Sequence, residues 1–297
     1  MKKVIPSEIS VPELHGLLLG SVGPRPIAFA STVDEQGRSN LAPFSFFNVF
    51  SANPPMLIFS PARRGRDNTT KHTYENIKKT MEVCINVVNY DIVQQTSLAS
   101  TEYPEGTNEF IKAGLTPLDS ELIKSKRVAE SPVQMECKVR QVIELGDQGG
   151  AGNLILAEVV MMHINENVLD SNGKIDQNKI ELVARLGGNW YSKGFGDALF
   201  EVEKPLTTLG IGVDSIPQEI RNSKFLTGND LGILGNVEHL PDETAVNDYR
   251  LVELSDLFVS LEDEPKKLEE ELHKHAHHLL SEGKTEEAWM TLLAFNN

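Results

Sequence analysis

Between residues 26 and 186 the chain sets down one β-type run after another, most of them joined by turns too short to hold a crossover helix. This alternation limits the accessible folds more than any other feature. "PIAFASTV" closes on the turn sequence "DEQGR" and resumes as "SNLAPFSFFNVFS", the pattern of a hairpin. "PPMLIFS" is a short apolar run whose prolines fix where a strand can begin, "MEVCINVVN" is another run, and three more cover 133 to 145, 154 to 164 and 180 to 186. Parallel sheets need a long crossover between neighbouring strands, so six or more runs with few helices predict a mainly β fold, an antiparallel barrel with helical decorations. Neither GxGxxG after a strand nor GxxxxGK[ST] occurs, so neither common nucleotide-binding fold is signalled.

Helices are predicted at few places in this body. Ser10, Pro12 and Glu13 form a capping box with proline in the first turn, opening a short helix that ends near Gly20. Residues 69 to 80 read as a second helix, and "DIVQQTSLAS" as a third with Asp91 as its cap. Beyond residue 200 the β signal fades into Gly-, Asn- and Pro-punctuated sequence, followed by two amphipathic helices broken at Gly283. The charge changes at the same place: residues 1 to 200 sum to -3 and residues 201 to 297 to -12, of a total of -15. Two domains are therefore expected, a 1–200 barrel and an acidic 201–297 extension that is partly helical. A net acidic surface argues against nucleic acid and anionic membranes as partners. "MKKVIPSEIS" is not followed by an apolar run of signal-peptide length and no stretch approaches a membrane span, which predicts a cytoplasmic protein. Cys84 and Cys137 lie in apolar alternating runs and are expected to be free, buried thiols.

One short loop stands out against the acidic background. In "SPARRGRDNTTKHTYENI", a strand delivers Ser60, three arginines follow, and Lys71 and Thr73 stand where a helix starts. A helix N-terminus offers unpaired N–H groups, hydroxyls donate to oxygen, and Arg or Lys adds charge-assisted hydrogen bonds. Together these make a seat for a terminal phosphate, whose near-double charge one cation would leave under-compensated. A solvated basic loop with a structural cap is the competing reading of the same residues.

The order of "PRPIAFASTVDEQGRSNLAPFSFF", "NPPMLIFSP", "KHTYENI" and "INV" resembles the flavin reductase-like family of FMN-binding split barrels, over roughly the first two-thirds of the chain. The resemblance implies a small antiparallel split β-barrel, usually dimeric, with FMN near the subunit interface. It places Arg25 of "PRP" in the cofactor pocket and Asn40, Ala42, Pro43 and Ser45 along the flavin ring and ribityl chain. It gives the phosphate to Ser60, Arg66, Lys71 and Thr73, and brings Arg185 and Tyr191 of "ARLGGNWYSKG" to the pocket. His72 stands where the family often has an acid. The implied activity is an NAD(P)H:flavin oxidoreductase passing electrons through FMN to free flavin or another acceptor, with no catalytic side chain. The alternative is a flavoredoxin-like electron carrier that docks redox proteins and has no nicotinamide site. "GAGNLILAEV" departs from the family pattern, because Gly152 stands where many reductases carry a histidine facing the nicotinamide, with Asn153 beside it.

Three remaining features read as structural. "HKHAHH" puts His273 and His277 one helical turn apart, but the apolar stripe Leu268, Leu272, Ala276 and Leu279 predicts that the histidines lie on a solvated face. "GDQGGAGN" reads as a flexible hairpin loop, and Trp289 as an anchor of the helical hairpin against the body.

Overall fold

The computed structural model describes residues 1–295 and divides into two compact units, Met1–Phe200 and Glu201–Asn297. The first unit is a seven-stranded, wholly antiparallel sheet. Its strands are β1 (Ala28–Val33), β2 (Ser39–Phe44), β3 (Phe47–Ala52), β4 (Pro55–Phe59), β5 (Glu82–Val87), β8 (Val133–Glu144) and β9 (Asn153–Ile164). Two two-residue strands, β6 (Pro117–Leu118) and β7 (Arg127–Val128), pair apart from it, and so do β10 (Val183–Arg185) and β11 (Tyr191–Lys193).

Strand order in the large sheet is β2-β1-β5-β8-β9-β4-β3, which puts β2 and β3 at opposite edges although only Ser45 and Phe46 separate them in the chain. A two-residue link spans about 10 Å. The sheet must therefore curl until its edges nearly meet, and the result is a split β-barrel. The barrel interior is the cluster of Ala30, Phe59, Ile77, Ile85, Cys137 and Ile155, with Phe44 and Phe47 packed against it. β1 is buried along its whole length, because its other face carries Phe29 into a second cluster with Leu41 and Phe110. The two cysteines are free and buried.

Five helices decorate this unit: α1 (Val11–Ser21), α2 (His72–Thr80), α3 (Val93–Leu98), α4 (Glu109–Ala113) and α5 (Gln177–Ile180). The expected Ser10 cap is present, its hydroxyl accepting from the Glu13 N–H at 3.4 Å. The second helix starts later than its sequence suggests. The Asp67 carboxylate takes both the N–H and the hydroxyl of Thr69, and Asn68 sits at a φ of 58°, so residues 67 to 69 form a turn. The third helix begins at Val93 with Ile92 preceding it, and Asp91 is not its cap.

Among its described residues the second unit carries the helices α6 (Gln218–Arg221), α7 (Gly228–Leu234), α8 (Glu243–Glu253), α9 (Ser255–Ser260), α10 (Pro265–Ser281) and α11 (Thr285–Leu293). Gly283, at a φ of 77°, makes the expected break between the last two. Leu268, Leu272, Ala276 and Leu279 are all buried, as their spacing requires. The two histidines divide: His277 is exposed as expected, its Nδ1 2.9 Å from Asp230, the residue that completes the α7 capping box with Thr227, whereas His273 is buried with Nδ1 2.8 Å from the Ser223 hydroxyl. Trp289 is buried in a cluster drawn from residues 211 to 293, its indole N–H donating to Leu234 O at 3.1 Å, so it serves the core of its own unit. Among the described residues no cluster of three or more His, Cys, Asp or Glu could hold a metal, and no helix is long and apolar enough to cross a membrane.

Candidate functional site

The basic loop is held from behind by the hairpin loop "GDQGGAGN". Arg63 N–H donates to Ala151 O at 2.8 Å, and Gly150 N–H returns a bond to Arg63 O at 3.0 Å. A Cβ at Gly149 would sit 3.1 Å from both Arg64 O and Gly65 O, so glycine permits the close approach. "GDQGGAGN" is thus a brace for the basic loop.

On the side away from that brace the loop meets α2 and the 99–103 turn around a small nook of about 50 Å³, lined by Asn40, Ala42, Arg64, Lys71, His72, Thr73, Glu102 and Glu109 among others. Arg64 is oriented by its own chain. Its guanidinium donates to the Thr69 hydroxyl at 2.9 Å and to Thr70 O, and its Nε meets Glu102 at 3.1 Å. Asn40 donates its amide to the Thr73 hydroxyl at 2.9 Å, joining β2 to the first turn of α2, which no side chain caps. Glu109, buried, accepts the Leu41 N–H at 3.0 Å and so satisfies a backbone group on the edge strand β2. Burial pushes its carboxyl above the usual carboxylate range, against the pull of that N–H.

Ser100 lines this nook and also a larger cleft of about 700 Å³. One wall of the cleft is Pro43 and Ser45, at the split between the barrel edges. Another is Val93, Gln94, Thr96 and Ser97 of α3, and a third is Arg185, Tyr191 and Lys193 of the β10–β11 ribbon. The ribbon wall is layered: the Arg185 guanidinium lies 4.7 Å from the centre of the Tyr191 ring, and Lys193 Nζ 4.6 Å from that of Tyr90. Thr96, almost wholly buried, has no hydrogen-bond partner for its hydroxyl among the described residues.

Eight of the residues implied at the sequence level therefore meet here. Asn40, Ala42, Lys71 and Thr73 line the nook, and Pro43, Ser45, Arg185 and Tyr191 line the cleft. Three line neither, for identifiable reasons. Arg25 spends its buried guanidinium on the carbonyls of Leu19, Val22 and Leu186 and ties α1 to the ribbon. Ser60 accepts the Asn153 N–H at 3.0 Å and pins the start of β9. Arg66 points outward, its side chain 69% exposed and paired with Asp67 and Glu102. The inward arginine is Arg64, its side chain 14% exposed. Gly152 backs onto Ser60: a Cβ there would lie 2.8 Å from Ser60 Oγ, so no larger side chain fits without displacing it. His163 pairs with the buried Glu136 at 2.7 Å, so it serves the packing of β8 on β9.

Sequence reasoning passed over Arg64, Tyr90, Thr96, Lys193, Glu102 and Glu109. Arg64 was visible only as one of three equivalent arginines. The others lie far apart in sequence and are assembled by the fold.

The donor set suits an anion beside a flat, partly polar ring. Arg64, Lys71, His72, Thr73 and Asn40 surround the nook, and an orphaned hydroxyl and paired aromatics line a cleft of the size that takes such a ring.

The profile of the flavin reductase like domain matches residues 20–179. The chain belongs to the flavin reductase-like family. A protein of Aquifex aeolicus is 38% identical over 189 residues, covering 64% of this chain and 94% of that protein. Among solved structures, nitrilotriacetate monooxygenase component B from Bacillus cereus is 31% identical with a TM-score of 0.63, covering 68% of this chain and 98% of that one. A split-barrel-domain protein from Shewanella frigidimarina is 27% identical with a TM-score of 0.56, covering 67% and 95%.

Proposed function

We propose that the first unit binds FMN and acts as an oxidoreductase that passes electrons from NAD(P)H to free flavin or another acceptor. The observation that carries this reading is that Ser100 lines both a nook bounded by Arg64, Lys71 and Thr73 and a cleft of about 700 Å³. Arg64, Lys71 and Thr73 would hold the phosphate, with the first turn of α2 adding backbone donors. Ala42, Pro43 and Ser45 would lie along the ribityl chain and ring, small enough for close approach. The Thr96 hydroxyl would gain the partner it lacks, and the Tyr191 and Tyr90 walls would shield the ring from water. Bound FMN would supply the redox chemistry itself, so no side chain need react. Likeness to a monooxygenase component supports an acceptor that is free flavin or a separate protein.

A homodimer belongs to this reading. α1 buries none of its residues in the single chain, and Val11, Leu18, Val49 and Phe50 are exposed apolar side chains on α1 and the edge strand β3. The same reading places the protein in the cytoplasm. One observation favours the electron-carrier alternative: the position that many reductases give to a nicotinamide-facing histidine is Gly152, where a Cβ would stand 2.8 Å from Ser60 Oγ and a larger side chain would have to displace it.

Anaerobic visible spectra separate the two. A yellow protein that bleaches on addition of NADH or NADPH is a reductase. A yellow protein that ignores both but is reduced by a redox protein is a carrier, and a protein that takes up no FMN refutes both.

A further inference from the structure

The nook already holds an anion of its own. Glu102, in the turn after α3, reaches three cations of the basic loop: Arg64 at 3.1 Å, Lys71 at 3.4 Å, and Arg66. It lines the nook together with Arg64 and Lys71, so its carboxylate stands among the groups a phosphate would use. Resting on the FMN reading above, we propose that Glu102 is a built-in counter-anion that the cofactor's phosphate must displace. In this view it sets how strongly the nook prefers a phosphorylated flavin and how readily the cofactor leaves.

Two features make displacement feasible. The Glu102 side chain is 36% exposed, so its carboxylate can swing into water without being stranded in an apolar interior. Arg64 does not depend on it: the Thr69 hydroxyl and Thr70 O keep the guanidinium in place when Glu102 leaves. The competitor is charged throughout the pH range in which the phosphate is a dianion. Partial burial raises the carboxyl, but hydrogen bonds from Arg64 and Lys71 and the nearby Arg66 outweigh this and hold it below the ordinary carboxylate range. Arg64 and Lys71 with Glu102 carry a net charge near +1, against +2 without it, so a dianion gains from its removal. A structural clamp would behave oppositely, since removing it would let the cations disperse and weaken binding.

The test compares wild-type protein with Glu102→Gln and Glu102→Ala in fluorescence titrations with FMN and with riboflavin, which has the same ring and ribityl chain but no phosphate. Thermal melting of each unliganded variant verifies folding. The expected result is that both variants bind FMN about three- to tenfold more tightly than wild type, because exposed pairs contribute modestly each. Riboflavin affinity should stay unchanged, and FMN dissociation should slow in stopped-flow chase by a comparable factor. Wild-type preference for FMN over riboflavin with no gain, or a loss, in the variants overturns the role of Glu102 alone. Failure of wild type to take up either flavin overturns the cofactor reading and this inference together. A gain for riboflavin equal to that for FMN overturns the displacement of Glu102 by phosphate.

Discussion

The choice between Arg64 and Arg66 gives the site its sharpest test. Both belong to one loop and both reach Glu102, but their side chains are 14% and 69% exposed. A charge-assisted hydrogen bond from a partly buried, pre-oriented guanidinium contributes about 1.5–3 kcal/mol, which corresponds to roughly tenfold to 150-fold in Kd. Arg64→Ala should therefore weaken FMN binding by about that factor, while Arg66→Ala, at a solvated position, should change it by less than about threefold. Riboflavin serves as internal control: its affinity should move by less than about twofold in either variant, because the lost contact is to a phosphate it lacks. Arg64→Lys should fall between, keeping the charge but losing the fork that Thr69 and Thr70 orient. The assay is quenching of flavin fluorescence at fixed ionic strength, with circular dichroism and melting of each apoprotein. If Arg66→Ala weakens FMN as much as Arg64→Ala does, or if Arg64→Ala weakens riboflavin as much as FMN, the assignment of Arg64 to the phosphate is wrong.

Three further outcomes follow from the packing. Gly152→Ala should destabilise the barrel by about 1–3 kcal/mol in urea unfolding, since its Cβ would fall 2.8 Å from Ser60 Oγ, the acceptor of the Asn153 N–H. Glu136 is fully buried, and two backbone N–H groups and His163 overcome the effect of burial to hold its carboxyl below the usual range. Its stabilisation is thus complete above about pH 4.3 and is lost as pH falls through the lower folded value. Glu136→Gln should lower stability near pH 7 by about 1–3 kcal/mol, and the gap in urea midpoint should narrow in acid. Burial holds the His273 imidazole below its ordinary value despite Glu269 and Glu219, so only the unfolded chain takes up this proton as pH first drops below about 6.5. Wild-type melting temperature should therefore fall between pH 7 and 5, and His273→Gln should flatten that slope in pH-stepped thermal scans.

The barrel was legible in the sequence because short β-type runs, which need not alternate where both faces are buried as in β1, are joined by hairpin turns that carry their own residue chemistry. The late start of α2 was not, since it depends on Asp67 turning back onto Thr69. Which arginine faces inward was also hidden: the backbone of Arg63 is fixed by Gly150 and Ala151, and nothing in "PARRGRD" announces that bond. His273 read as exposed for a similar reason, because Ser223 lies 50 residues away and only the fold brings its hydroxyl to the imidazole. The short helices α6, with Pro217 and Asn222 at its ends, and α7, closed by Gly235, were masked by those same residues, which here serve as caps.

The two-residue passage from β2 to β3 has a mechanical corollary. Ser45 is at once the hinge pin across the slit and part of the cleft wall, so the slit cannot gape without reshaping that wall. A molecule seated there acts as a wedge in a spring clip. Occupancy should be registered as slower amide exchange along both lips of the slit, including residues of β3 that line neither cavity.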